Sequence, residues 1–210
     1  MLRMLIADDH EVVRRGLKQV LLSVTQETHI DEAKNAQEVL KKIQEKDYSV
    51  VLLDISMPGR NGLDIVREMK SLQPELIVLI LSMYSEDQYA MRALKAGAAG
   101  YLSKAGDSKE VIVAIQKALS GKIYYSGRII EDFINSFKSG WKRKPHDTLS
   151  IREMEVFHHI VSGCTPSKIA EELSISLSSV STYRRRIMKK MNLNSIADII
   201  KYAVENGLDA

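Results

Sequence analysis

Cysteine is almost absent from this chain of 210 residues: Cys164 stands alone, which excludes an internal disulfide. No Cys/His cluster along the sequence suggests structural zinc, and a reducing cytosol is the expected compartment. Long apolar runs are missing as well. None approaches the roughly 18 residues of a membrane-spanning helix, so no membrane role is expected. The opening MLRMLIADDH meets two acids before it can serve as a secretory signal. Internal repeats and low-complexity tracts are absent. No G-x-G-x-x-G follows the first apolar run, which disfavours dinucleotide binding. What remains is ordinary for a folded protein: 45% hydrophobic and 27% charged residues. That balance excludes a mostly disordered chain, a collagen-like repeat and a coiled-coil rod. The length suits one large domain or two small ones.

The net charge of +3 is small but unevenly placed. Residues 1–121 carry 16 basic and 17 acidic side chains, residues 122–147 carry 6 and 3, and residues 148–210 carry 8 and 7. Within the last part, Leu177 to Met191 holds Arg184, Arg185, Arg186, Lys189 and Lys190 and no acid. Such a local block is more informative than the total.

The first half alternates between two periods. Leu2–Ala7, Ser49–Leu53, Leu76–Ser82 and Ala98–Leu102 are short runs rich in Leu, Ile and Val, as expected for strands buried on both faces of a parallel sheet. A weaker strand is expected at His29–Ala33. Helical spacing marks Glu11–Leu22, Ala36–Gln44, Gly62–Leu72, Glu86–Ala96 and Ser108–Leu119. Five β–α pairs predict an α/β fold with a doubly wound five-stranded parallel sheet, closing near residue 121. Residues 122–147 read as a linker, with an apolar patch at Ile123–Tyr125, a short helix at Ile129–Phe137 and a basic stretch at Ser139–His146. From residue 148 to 210 the pattern is all helical: Ile151–Ser162, Pro166–Leu173, Leu177–Met191 and Ser195–Glu205. Thr165 before Pro166 is a strong helix start.

In a doubly wound sheet, ligands bind beyond the carboxyl ends of the strands. Asp8 and Asp9 end the first expected strand and Asp54 the third, so three carboxylates converge if those strands are neighbours. Like charges in one pocket repel, and a hard divalent cation resolves the conflict; oxygen ligands with retained waters suit Mg²⁺. Ser82 ends the fourth strand and Lys104 follows the fifth. Acids, a metal, a hydroxyl and a lysine around one carboxylate are the parts needed for phosphoryl transfer to Asp54. His10 reads as a structural neighbour of this pocket. His158 and His159 look like a metal pair, but adjacent helical residues point about 100° apart and chelate poorly.

These residues carry a resemblance. Asp8-Asp9-His10, Asp54-Ile55-Ser56-Met57-Pro58-Gly59, Asn61-Gly62, Ser82 and Gly100-Tyr101-Leu102-Ser103-Lys104 together resemble the receiver domain of two-component response regulators, over about residues 1–121. The resemblance implies Asp54 as phosphoacceptor, with a sensor histidine kinase as donor. It implies Mg²⁺ bound by Asp9, Asp54 and the backbone carbonyl of Ser56, with Asp8 acting largely through water. Ser82 would donate to the phosphoryl group, Lys104 would pair with it, and Tyr101 matches an aromatic switch. Ser56 and Tyr84 stand at positions that in the family tune phosphate loss. Ala105 follows the lysine where many receivers have proline.

Toward the C-terminus, helix, turn and helix are tied by Ile169, Ala170, Leu173, Ile175, Val180, Ile187 and Met191. The second helix starts with Leu177-Ser178-Ser179, and a helix start with small polar groups can sit on a phosphate. Ser181, Thr182, Arg184, Arg185 and Lys189 would offer donors to bases and phosphates of double-stranded DNA. Leu149-Ser150-Ile151-Arg152-Glu153-Met154-Glu155-Val156, Ile169-Ala170-Glu171-Glu172-Leu173 and Ile187 to Met191 resemble the LuxR-type helix-turn-helix over residues 148–208. Ser181 and Tyr183 replace the lysine and histidine common there, and Glu153 matches a helix-buttressing position. The family uses its last helix to dimerise on promoter DNA, which points to Ile196, Ile199, Ile200 and Ala203.

The combined expectation is a regulator of the NarL/FixJ type and not an enzyme, with uptake and loss of its own phosphoryl group as its sole chemistry. A magnesium-dependent phosphohydrolase would need a second acid two residues after the nucleophile, where Ser56 stands. A receiver-like scaffold with constitutive DNA binding would not need the full set of Asp9, Asp54, Ser82 and Lys104.

Overall fold

Strands β1 (Leu2–Ala7), β2 (Thr28–Ala33), β3 (Val50–Asp54), β4 (Ile77–Ser82) and β5 (Gly100–Ser103) form one parallel sheet in the order 2-1-3-4-5 in the computed structural model of the chain. The structure describes residues 2–22, 28–57, 62–84, 86–138 and 144–208. Pro58-Gly59, Asn61 and residues 139–143 of the basic stretch Ser139–His146 lie outside these. The chain divides into two compact units, Met1–Trp141 and Lys142–Ala210.

In the first unit each strand is joined to a helix: α1 (Glu11–Leu22), α2 (Ala36–Glu45), α3 (Gly62–Leu72), α4 (Glu86–Ala96) and α5 (Ser108–Leu119). β3 is buried at every residue, which is why its sequence is uniformly apolar until Asp54. Ala7 pairs in register with Ala33 and with Leu53, and Asp54 with Leu81. The strand order reverses between β1 and β3, and Asp8, Asp9 and Asp54 sit at the carboxyl ends of those two strands. Met4, Ile6, Leu52, Leu79 and Leu81 pack with Val111, Ala114, Ile115 and Ala118 of α5 in one core. Caps fix the helix starts: the Asn35 side chain accepts from the Glu38 N–H and Asp107 from the Lys109 N–H. Gly62 opens α3 because a side chain there has no room. A Cβ would lie 2.6 Å from the Ile55 Cα and 2.7 Å from its carbonyl oxygen.

The stretch after residue 121 does not leave the sheet. The Tyr124 N–H donates to the Ala99 carbonyl (2.7 Å) and the Tyr101 N–H to the Tyr124 carbonyl (3.2 Å), so Tyr124 covers the open edge of β5. The Tyr125 hydroxyl donates to the Ala98 carbonyl, and the Ser126 N–H donates to Glu86 at the start of α4. Helix α6 (Gly127–Lys138) then packs on α4 with Ile129 buried. Residues 122–138, expected as the start of the linker, therefore belong to the first unit: two tyrosines and an amphipathic helix had an exposed edge to cover.

The second unit opens with a 3₁₀ turn (Pro145–Thr148) and holds α7 (Ile151–Val161), α8 (Pro166–Glu172), α9 (Leu177–Met191) and α10 (Ile196–Glu205). Its core is Leu149, Ile151, Val156, Phe157, Ile160, Ile169, Val180, Ile187, Ile199 and Ala203. Ser150 and Glu153 form a reciprocal capping box on α7. Pro166 begins α8 behind the Thr165 cap. Ser174 takes a left-handed conformation (φ 51°) that makes the tight turn between α8 and α9.

Candidate functional site: an acidic pocket and a basic helix

Asp8, Asp54, Ser82 and Tyr101 are buried at the carboxyl end of the sheet, and Asp9 is partly open to solvent. Asp8 Oδ1 accepts the His10 N–H at 2.8 Å, a local turn that starts α1. Asp54 Oδ1 accepts the Ser56 N–H at 2.8 Å, and Asp54 Oδ2 accepts a hydrogen bond from Lys104 Nζ at 2.7 Å. The same ammonium lies 2.7 Å from Asp8 Oδ2, so Lys104 bridges the two buried carboxylates. Burial pushes the Asp54 carboxyl above the usual carboxylate range, against the pull of Lys104 and the Ser56 N–H. Burial alone would lower Lys104, but its two carboxylate partners outweigh it and hold the ammonium above the usual lysine range.

Oxygen atoms of Asp8, Asp9 and Asp54, with His10 Nδ1, lie within 4.8 Å of one another. The His10 ring sits 2.9 Å from Asp9 and 3.3 Å from Asp8. Three carboxylates that converge against a single lysine suit a hard, oxygen-seeking cation. The peptide after Lys104 is trans.

Ser82 is tied to Tyr101 through Tyr84. Ser82 Oγ accepts the Tyr84 N–H (3.1 Å), and the buried Tyr101 hydroxyl donates to the Tyr84 carbonyl (3.1 Å). Burial pushes the Tyr101 phenol up to about 12, so it stays a donor throughout the physiological range. The Tyr84 ring meets that of Tyr89 in α4 at a centroid distance of 4.9 Å, tilted by 44°. The Ser82 carbonyl accepts the Lys104 N–H, which fixes the lysine beside the pocket. The backbone part of Tyr84 in this relay is not visible in the sequence, since only tertiary structure brings Tyr101 onto its carbonyl.

In the second unit, Ser178, Ser181, Thr182, Arg185 and Lys189 are exposed along α9, while Ser179 and Arg184 are half-buried. Ser181 and Thr182 donate their hydroxyls back to the Leu177 and Ser178 carbonyls, leaving oxygen lone pairs outward. Ser176 caps the helix by accepting the Ser179 N–H. Val180 is fully buried and serves the core alone. Lys190 is committed to buried Glu153, which also accepts the Ser150 N–H, so this carboxylate ties the start of α7 to the end of α9. The residues expected for dimerisation on α10 divide between two faces. Ile199 and Ala203 are 0% exposed, turned onto the core that α10 shares with α7, whereas Ile196, Ile200 and Val204 are 37%, 38% and 59% exposed.

Two protein families match the chain. The response regulator receiver domain matches residues 4–116, and the bacterial regulatory proteins of the luxR family match residues 147–203. The response regulator GacA of Pseudomonas viridiflava is 34% identical over 209 residues, covering 99% of this chain and 98% of the relative. UvrY of Escherichia coli (strain K12) is 30% identical over 209 residues, covering 99% and 96%. RcsB of Salmonella typhimurium shares the fold at 22% identity with a TM-score of 0.59, covering 97% of this chain and 100% of its own. A structure of two RcsB dimers bound to two parallel DNAs gives a TM-score of 0.58 at 22% identity, covering 97% and 98%. Among the described residues, no helix is long and apolar enough to cross a membrane. The chain belongs to the NarL/FixJ-type response regulators, transcriptional regulators that join a receiver domain to a LuxR-type DNA-binding domain.

Proposed function

We propose that a sensor histidine kinase phosphorylates Asp54 and that the phosphoryl group controls how α9 engages promoter DNA. The observation that carries this reading is Lys104 Nζ, held 2.7 Å from both Asp54 and Asp8 where the reversal of strand order brings the carboxylates together. An Asp54 oxygen forms the new O–P bond as the N–P bond to the donor histidine breaks; the electron pair stays on the imidazole, which then takes a proton. Lys104 turns from the Asp54 carboxylate to the phosphoryl oxygens. Asp9, Asp54 and the Ser56 carbonyl would hold Mg²⁺, with Asp8 joining through water. When bound, Mg²⁺ neutralises charge on the transferring group.

Ser82 offers its hydroxyl to the phosphoryl group and gives up the Tyr84 N–H. That loosens the loop on which the Tyr101 hydroxyl is anchored and biases the α4–β5–α5 face between two arrangements. In the second unit, α9 enters the major groove. Arg184, Arg185 and Lys189 meet phosphates and base edges beside Ser181 and Thr182, and the helix start at Ser178 and Ser179 sits on the backbone. RcsB, which shares this fold, is seen as dimers on DNA. Here the exposed ridge Ile196, Ile200 and Val204 is the dimer face. These activities belong in the bacterial cytoplasm, where kinase and promoter meet.

The test is intact mass after incubation with Mg²⁺ and acetyl phosphate, for the wild type and Asp54→Asn side by side. A single phosphoryl adduct on the wild type alone is expected. No adduct on either, together with no beryllofluoride binding, would overturn the phospho-switch.

A further inference from the structure

Away from the basic face of α9, the second unit brings together three side chains of different chemistry. His159 lies in the last turn of α7, Cys164 follows the turn after it, and Glu172 closes α8. His159 Nδ1 is 3.0 Å from Glu172 Oε2. One donor atom from each of the three lies within 4.8 Å of the others. The sequence hides this group, because Glu172 stands far along a second helix and no short spacing links it to the pair.

The backbone fixes the arrangement without help from a ligand. Gly163, at φ +74°, ends α7 in a left-handed turn, its N–H donating to the Ile160 carbonyl at 3.0 Å. The Cys164 N–H then donates to the His159 carbonyl at 2.9 Å, so thiol and imidazole belong to one closed turn. Thr165 and Pro166 start α8 in the next two positions, which anchors the helix that ends on Glu172. Lys168 Nζ sits 3.6 Å from Glu172 Oε1, leaving Oε2 on the His159 side. Cys164 and His159 are partly open to solvent and Glu172 is exposed, so an ion can reach them.

Thiolate, imidazole and carboxylate are together the donor set of zinc, not of magnesium or calcium, which take oxygen alone. Bonds of about 2.0–2.3 Å would need the donors to draw in by no more than roughly 1 Å. We propose that His159, Cys164 and Glu172 form a Zn²⁺ site in the DNA-binding domain, with water as the fourth ligand, clamping the end of α8 to the end of α7. The Cys164 thiol releases its proton to solvent as the S–Zn bond forms, the proton that His159 Nδ1 shares with Glu172 leaves to solvent as the N–Zn bond forms, and the freed Glu172 oxygen turns to the metal. The clamp bears on α8, the first helix of the helix-turn-helix pair, and not on the receiver's acidic pocket.

Cys164 is the chain's one cysteine, so a thiolate signal can have no other origin. The test is titration of the reduced full-length protein with Co²⁺ in excess Mg²⁺, followed by absorption. A thiolate-to-cobalt charge-transfer band in the near ultraviolet is expected, with strong tetrahedral bands in the visible, saturating at one ion per chain and abolished by Zn²⁺. Cys164→Ser removes the charge-transfer band. His159→Gln and Glu172→Gln, both at accessible positions, each weaken Co²⁺ binding at least about tenfold, while Asp54→Asn leaves the titration unchanged. Absence of the band in the wild type overturns the proposal. So does a band whose titration is unaffected by both His159→Gln and Glu172→Gln, which would mean a cysteine binding metal by itself.

Discussion

The receiver pocket and the basic helix α9 both concentrate charge, but they hold it in opposite ways. In the pocket, Asp8 and Asp54 are buried, Lys104 is nearly so, and each of these charges has a partner within 3 Å. On α9, Arg185 and Lys189 stand in solvent, and Lys190 is the member of the block drawn into an ion pair, with buried Glu153. A buried charge without a partner is costly, so the pocket fixes geometry and responds sharply to the loss of one group. Exposed charges contribute little to stability and remain available to a polyanion. One region is built to change state and the other to stay ready.

The largest effect is expected from Lys104→Met. It leaves two buried carboxylates facing each other, and in magnesium-free buffer the receiver should lose about 3–5 kcal/mol, read by urea unfolding. Addition of Mg²⁺ should recover much of that loss; no change in either condition would mean the pocket is less closed than its geometry indicates.

Glu155 tests the same rule in the second unit. Burial pushes its carboxyl up to about 7 from the ordinary 4.5, with Arg152 on Oε2 and no hydrogen-bond partner on Oε1. The folded chain therefore holds this proton more tightly than the unfolded chain. Its stabilising contribution is complete below about 4.5 and is lost as pH rises through about 7. Glu155→Gln should abolish that dependence and exceed the wild type by on the order of 2–3 kcal/mol at pH 8, measured by thermal melting across pH. A wild-type melting curve for this domain that is flat between pH 5 and 8 would refute it.

Gly62→Ala should follow, at about 1–3 kcal/mol, because the new methyl meets the Ile55 backbone beside Asp54. Phosphorylation by acetyl phosphate should slow in the same variant. The smallest effect on stability belongs to Arg185→Ala, within about 0.5 kcal/mol. Its effect should appear instead on DNA, as weaker binding and a salt dependence shallower by about one unit of slope. Should Arg185→Ala destabilise the fold, the contrast between the two regions would fail.

Much of this architecture is legible in the sequence. Strands buried on both faces announce themselves by unbroken apolar runs, and four of the five end on the chemistry of the pocket. Other features follow from tertiary neighbours. Tyr124 and Tyr125 read as an apolar patch in a linker, because the sequence does not say that the edge of β5 needs a cover. Ile199 and Ala203 share a helical stripe with Ile196 and Ile200, and periodicity cannot tell which edge of a stripe meets the core. His159, Cys164 and Glu172 come together because a left-handed turn at Gly163 folds one helix end toward another.

The edge pairing of Tyr124 bears on how the receiver can be produced alone. Stopping the chain at residue 121 would strip the Tyr101 N–H and the Ala99 carbonyl of their partners and expose the flank of β5 to any passing strand. Such a fragment should self-associate, whereas one carried through α6 to Lys138 should stay monomeric at the same concentration. The position of a stop codon then decides whether the isolated domain is a soluble reagent or a precipitate.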